Sequence, residues 1–90
     1  WQNHEGEPNI SRKHLATMMS NYGTSLYSIG QIDSSLYYTT EAYKLKVEIG
    51  SSPKQIGKAL VNIGVAYMMG NKNEESIKYY LEAKELFIPI

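Results

Sequence analysis

Apolar residues recur at spacings of three and four along most of the chain, which is the spacing of an amphipathic α-helix. The first periodic segment predicts a helix from about Asn9 or Ile10 to Ser28. Gly30 follows at the position of a C-cap glycine, so the helix is expected to end there. The apolar stripe on this helix consists of Leu15, Met18, Met19, Tyr22, Leu26 and Ile29.

A second segment follows after a short turn, so we expect it to return antiparallel to the first. Asp33 is predicted to cap its N-terminus, because a carboxylate accepts from the free N–H groups of a first helical turn. This helix is expected to run to about Glu48, with Gly50 ending it. Its inward residues are predicted to be Leu36, Ala42, Leu45 and Ile49.

Two further helices follow the same plan. Ser52 is a good N-cap and Pro53 a good first helical residue, since proline has no N–H to leave unpaired. This third helix is predicted to reach about Met69, and the fourth is expected to start with Asn73 as its cap. The pattern therefore predicts an all-α fold of two antiparallel helical hairpins, over residues 10–50 and 51–90. Residues 1–9 show no period and are interpreted as a linker or the frayed end of a preceding repeat.

The two halves of the chain are related by a shift of 41 residues, which places Gly23 on Gly64. Glycine has no side chain to hold a neighbouring helix away, so both glycines are expected at close helix crossings. Between residues 14 and 48 of the first half, seven pairs aligned at this register are identical without a gap: Asn21/Asn62, Gly23/Gly64, Ser35/Ser76, Tyr38/Tyr79, Glu41/Glu82, Ala42/Ala83 and Leu45/Leu86.

The second half resembles a tetratricopeptide repeat, whose pattern is Trp-x2-Leu-Gly-x2-Tyr, then Ala-x3-Phe, then Pro. Gly64, Tyr67 and Ala83 match the family outright, and the residues that stand for its Trp, Leu, Ala and Phe are Leu60, Ile63, Ser76 and Tyr80. The first half follows with Met19, Tyr22, Gly23, Leu26, Ser35, Thr39 and Ala42. Both halves lack the Trp and carry Ser for the first Ala, and Thr39 stands where an aromatic residue is usual. The repeat of about 40 residues resembles the long variety of the family, found in bacterial signalling proteins and in eukaryotic scaffolds.

The resemblance implies hairpins stacked as a fragment of a right-handed superhelix, with the first helix of each hairpin lining a concave groove. An Asn amide both donates and accepts, so Asn21 and Asn62 could hold the N–H and C=O of one extended peptide. We expect both amides to be free of strong bonds within the protein. Lys58, the only charge in the set, favours an acidic or C-terminal carboxylate group on the peptide. The implied groove residues are Asn21, Asn62, Thr17, Thr24, Tyr27, Lys58, Val65 and Met69.

Composition adds no catalytic or metal chemistry. Nine basic and nine acidic side chains give a net charge of zero, which favours neither nucleic acid nor an anionic membrane as a partner. The chain has no cysteine, and its two histidines, His4 and His14, have no spaced partner for a metal or for general base catalysis. No apolar run approaches the roughly 18 residues of a membrane helix. We therefore expect no enzyme activity, no metal and no cofactor.

The favoured hypothesis is a protein- or peptide-binding module within a larger bacterial signalling or regulatory protein. Its expected compartment is the cytoplasm, with an extracytoplasmic sensor segment as the alternative. The second hypothesis is a structural spacer or self-association segment of a repeat array. Helix four is predicted to present Phe87 and Ile88 without a partner in the chain, which would make it the contact of a homodimer.

Overall fold

The computed structural model describes residues 8–87, with side chains from residue 12 onwards. This part of the chain is all-α and contains no strand, as predicted. Its helices are α1 (Pro8–Ser28), α2 (Ile32–Glu48), α3 (Pro53–Met69) and α4 (Asn73–Phe87). Residues 1–7 of the predicted linker lie outside the described range, as do residues 88–90, whereas Pro8 and Asn9 belong to α1.

Each of the three turns contains one residue in the left-handed backbone conformation, which closes the end of the preceding helix. Gly30 and Gly50 adopt it with φ of 85° and 75°, as their predicted role at the helix ends requires. Asn71 takes this place in the third turn with φ of 65°, since asparagine tolerates the region better than most residues. Backbone N–H groups after each helix then donate to carbonyl groups of its last turn.

Of the three residues predicted to be helix N-caps, one is confirmed and two are wrong. Ser52 caps α3 as predicted, accepting a hydrogen bond of 3.2 Å from the backbone N–H of Gln55. The prediction for Asp33 is wrong, because α2 starts at Ile32 and its N-cap is Gln31, which makes no side-chain capping bond. The prediction for Asn73 is also wrong, because it is the first residue of α4 itself. In both turns the helix begins two residues after the left-handed residue, so a single residue lies between them. That residue occupies the N-cap position, and a later residue is already part of the helix.

Within each hairpin the two helices meet at the predicted glycines. A Cβ atom at Gly23 would lie 2.6 Å from Cγ2 of Thr39, and one at Gly64 would lie 2.8 Å from Cε1 of Tyr80. The hydroxyl group of Ser35 also donates to the carbonyl oxygen of Gly23 at 2.8 Å. Both crossings are therefore too close for any larger residue without a shift of the neighbour.

Small residues form much of the core, and the apolar stripe of α1 lies largely at the surface. Of that stripe only Leu26 is buried, while Met18 is 65% and Tyr22 is 52% exposed. The close crossings explain this, because α1 turns its small residues towards its neighbours and its large ones outwards. Of the residues predicted to point inward from the second helix and its end, Leu36, Leu45 and Ile49 are only half-buried, against the prediction. The buried residues of α1 and α2 are Ala16, Ser20, Gly23, Leu26, Ser35, Thr39 and Ala42.

The second hairpin packs on the first mainly through α3. This helix contacts α2 and α1 in addition to its own partner α4. Ile32 of α2 lies over Gly70, where a Cβ atom would be 2.9 Å from its Cγ2. Counterpart helices keep the 41-residue shift, since α2 and α4 begin at residues 32 and 73, and α1 and α3 end at residues 28 and 69. The shift is thus kept at the two turns within the hairpins, whereas α1 begins at residue 8 and α3 at residue 53.

Candidate functional site

A cavity of about 480 Å³ opens between α1 and α3, and we call it the groove. Four of the predicted binding residues line it, namely Thr17 and Asn21 from α1 and Lys58 and Asn62 from α3. Both asparagines therefore share one cavity, as a peptide clamp would require. The rest of the lining comes from Ser20, Lys46, Gln55, Val61 and Phe87.

The other four predicted residues do not line this cavity and lie further towards the C-terminal ends of α1 and α3. The hydroxyl group of Thr24 donates to the backbone oxygen of Asn21 at 2.9 Å. Tyr27 and Val65 are half-buried, and Met69 is exposed. Half of the predicted set is thus brought together and half is not.

Asn62 joins the two hairpins, against the expectation that both amides are free. Its side-chain N–H donates to the hydroxyl oxygen of Ser20 at 3.0 Å in a partly buried position. The bond forms because Ser20 is one of the small buried residues of α1 and faces α3. An amide has two N–H donors and one oxygen acceptor, so one N–H and the oxygen of Asn62 remain chemically suited to a ligand. Asn21 is exposed at the wall of the groove.

The groove carries two positive charges and its lining contains no acidic residue. Lys58 is not the only charge, as the sequence suggested, because Lys46 reaches the groove from the last turn of α2. Burial lowers the pKa of Lys46, and the neighbouring ammonium group of Lys58 lowers it further. Two cations held close together in a partly buried cavity are a favourable environment for an anion.

Phe87 has a partner within the chain, which corrects the prediction of an unpartnered end of α4. Its ring lies over Gly57, where a Cβ atom would be 2.9 Å from Cζ. Ile88 lies outside the described residues. Lys46 and Phe87 are 41 residues apart, so the two hairpins contribute counterpart residues to the groove. The 41-residue shift could have paired them, but nothing in the periodicity showed that the second helix of each hairpin reaches the groove.

Tyr27 and Tyr80 lie near each other, towards the C-terminal ends of α1 and α3. The hydroxyl group of Tyr80 donates a weak hydrogen bond to Sδ of Met68 at 4.0 Å. Burial raises the pKa of Tyr27, and the nearby Tyr80 raises it further. Tyr80 crosses α3 at Gly64 to reach this position.

Other chemistry is sparse in the described part of the chain. No group of three or more His, Cys, Asp or Glu side chains between residues 12 and 87 could hold a metal ion. His14 is exposed on α1. None of the four helices combines the length and the apolar character needed to cross a membrane.

No protein-family model matches the chain, and no curated protein or solved structure matches it either. The resemblance to tetratricopeptide repeats therefore rests on the residues of the chain itself.

Proposed function

We propose that this chain is a peptide-binding module of the tetratricopeptide type, and that its groove holds an extended segment with an acidic side chain or a C-terminal carboxylate. The observation that carries the proposal is the charge of the groove. Lys46 and Lys58 line one cavity of about 480 Å³ whose lining includes no carboxylate. Their mutual repulsion and partial burial disfavour the empty charged state, and a bound anion would relieve both.

The asparagines give the groove a means of recognising a peptide backbone. Asn21 and Asn62 line the same cavity from neighbouring helices. Each amide presents donors and an acceptor, so together they match the alternating N–H and C=O groups of an extended chain. The bond from Asn62 to Ser20 fixes the orientation of its amide, which reduces the entropy lost when a ligand binds.

Two features of the packing support the repeat assignment. α3 contacts both helices of the first hairpin, and counterpart helices keep the 41-residue shift. This arrangement suits a stack of hairpins that continues as a right-handed superhelix. We further propose that the chain acts within a larger bacterial signalling or regulatory protein in the cytoplasm.

The direct test compares two hexapeptides, one of glutamate and one of lysine, each carrying a fluorescent label. Binding is followed by fluorescence anisotropy at low salt. The glutamate peptide is expected to bind measurably and to weaken as salt is added, since the contact is electrostatic and partly exposed. The lysine peptide is expected not to bind.

Lys58→Gln provides the matched variant, with Lys54→Gln as its control one turn earlier on α3. Both changes remove one positive charge from an exposed position of the same helix, but only Lys58 lines the groove. Lys58→Gln should weaken binding of the glutamate peptide by roughly 0.2–1 kcal/mol, the range for an exposed ion pair, while Lys54→Gln should change the binding little. Equal losses in the two variants would show general charge attraction and refute the groove.

The exposed apolar faces of α1 and α4 favour the second candidate function, a self-association segment. Met18 and Tyr22 on α1, and Ile77 and Leu81 on α4, are each more than half exposed. This function uses surfaces other than the groove, so the two functions are compatible.

A further inference from the structure

One face of α3 is buried between the hairpins, and the same face of α1 is exposed. Ala59, Leu60 and Ile63 are at most 2% exposed on α3. Their counterparts 41 residues earlier are Met18, Met19 and Tyr22 on α1. Met18 is 65% and Tyr22 is 52% exposed.

The face of α3 is buried because α2 of the first hairpin covers it. Each of α1 and α3 has its own hairpin partner, but α3 is also covered by α2 of the preceding hairpin. Within residues 8–87 no helix takes the corresponding place on α1. The exposed face of α1 therefore corresponds in sequence to the face of α3 on which another hairpin packs.

The outer face of α4 offers the surface that would fill this place. Ile32 and Tyr43 lie on the side of α2 that meets α3, Ile32 over Gly70 and Tyr43 in a cavity beside α3. Their counterparts on α4 are Asn73 and Lys84. Ile77 and Leu81 lie between these two on the same side of the helix, as the spacing of four residues requires. Both are exposed, by 56% and 55%.

Two matching cavities show how the surfaces would meet. Tyr43 lies in a cavity of about 570 Å³ on the second hairpin, whose lining also includes Lys78 and Leu81. Five further residues line this cavity, namely Ile56, Leu60, Glu82, Glu85 and Leu86. A cavity of about 620 Å³ on the first hairpin is lined by the counterparts of these five residues. Those counterparts are Leu15, Met19, Glu41, Lys44 and Leu45.

Charge complements the apolar fit. The counterpart of Tyr43 on α4 is Lys84. In a second copy placed as the hairpins are placed here, Lys84 would enter the cavity that contains the carboxylate of Glu41. That carboxylate pairs with Lys44 at 3.5 Å, a partly exposed contact within one helix. An opposite charge arriving from outside would be favoured there.

We propose that the face of α1 formed by Leu15, Met18 and Tyr22 docks the face of α4 formed by Ile77, Leu81 and Lys84 on a second copy of this chain, joining copies head to tail. The two surfaces differ, so a pair of copies keeps one free α1 face and one free α4 face. Association of this kind continues beyond a dimer unless it closes into a ring.

The test is sedimentation velocity of the full chain over a concentration series, with one variant for each face. Met18→Glu places a charge in the α1 face, and Leu81→Glu places one in the α4 face. Each variant alone should self-associate more weakly than the unmodified chain by more than about tenfold, because a buried unpaired charge is costly. Gln31→Glu adds the same charge in the exposed turn between α1 and α2 and should leave association unchanged.

Mixing the two variants separates this arrangement from a symmetric dimer. The intact α4 face of Met18→Glu can pair with the intact α1 face of Leu81→Glu, so an equimolar mixture should form a dimer and nothing larger. Circular dichroism should show the same helix content in all variants, because both substituted residues are exposed. The proposal is overturned if the unmodified chain stays monomeric at its highest soluble concentration, if either variant associates like the unmodified chain, or if the mixture does not dimerise.

Discussion

Gly23 and Gly64 occupy the same place in the two hairpins but meet different partners. At Gly23 the neighbour is Thr39, which is buried and whose hydroxyl group donates to the carbonyl oxygen of Ser35 at 2.8 Å. At Gly64 the neighbour is the ring of Tyr80, which is half-buried. A short branched side chain held by a hydrogen bond can move less than a tyrosine ring with one side free. The first crossing should therefore tolerate an added methyl group less well than the second.

Gly23→Ala is accordingly expected to lower the free energy of unfolding by about 1–3 kcal/mol through overpacking. This loss should exceed the roughly 0.5–1 kcal/mol that alanine gains in a helix interior. Gly64→Ala should cost less, because Tyr80 can give way. Urea denaturation of both variants measures the difference, and adding Thr39→Ser to Gly23→Ala should restore part of the loss by removing Cγ2. A Gly23→Ala variant as stable as the unmodified chain would contradict the close crossing.

The lowered pKa of Lys46 makes the free energy of unfolding depend on pH. Its pKa lies below the ordinary value of 10.5 because of burial and then of Lys58. Between the lowered pKa and 10.5 the unfolded chain binds more protons at this residue than the folded chain does. The contribution of Lys46 to the free energy of unfolding therefore rises as the pH increases through this interval.

Replacing Lys58 tests this coupling directly. In Lys58→Gln the pKa of Lys46 should move up towards its ordinary value, because the neighbouring cation is gone. Carbon-13 NMR of the lysine Cε atoms across an alkaline titration reports the change. Lys54→Gln is the control and should leave the pKa of Lys46 where it was. An unchanged pKa in Lys58→Gln would mean that the two ammonium groups do not share one cavity.

At the scale of the helices, local signals predicted the architecture well. Gly30 and Gly50 needed the left-handed conformation, and Ser52 with Pro53 formed a recognisable helix start, so the element boundaries followed from local chemistry. Asp33 misled because a good capping residue stood two positions beyond the true cap, Gln31. The choice between neighbouring start positions depends on the turn before the helix, which propensity alone does not describe.

The apolar stripe of α1 misled for a different reason. Periodicity shows that Leu15, Met18 and Tyr22 share one side of a helix, but it does not show what covers that side. The side that the chain itself buries carries Ala16, Ser20 and Gly23, because only small residues allow α2 and α3 to approach. Contact between hairpins is a tertiary property, and a single-helix pattern does not contain it.

The bond between Asn62 and Ser20 allows a prediction about the contact between α1 and α3. Each single change, Asn62→Ala or Ser20→Ala, should lower the free energy of unfolding by about 0.5–1.5 kcal/mol. The double variant should lose less than the sum of the two, because the second change removes a partner already lost. Thermal or urea unfolding of the four proteins measures the coupling. Strictly additive losses would show that this hydrogen bond does not form in solution.

At the scale of the whole molecule, the groove was predictable only in part. The 41-residue shift identified Asn21 and Asn62, and the family resemblance placed Thr17 and Lys58 beside them. Lys46 escaped because it comes from the end of α2, and only the packing of the hairpins carries it to the groove. Its counterpart Phe87 escaped in the same way. A residue far along a second helix enters such a site through three-dimensional packing, which sequence spacing does not record.

The most direct test of the central claim, that the groove binds an anionic extended peptide, is an NMR titration of the nitrogen-15-labelled chain with hexaglutamate. The peptide should shift the amide signals of Thr17, Asn21, Lys58 and Asn62, together with the side-chain amide of Asn21. The outer faces of α1 and α4 should be unaffected, so Met18 and Leu81 serve as internal references. Shifts confined to the groove would support the account. Shifts spread over all exposed lysines, or none at the two asparagines, would contradict it.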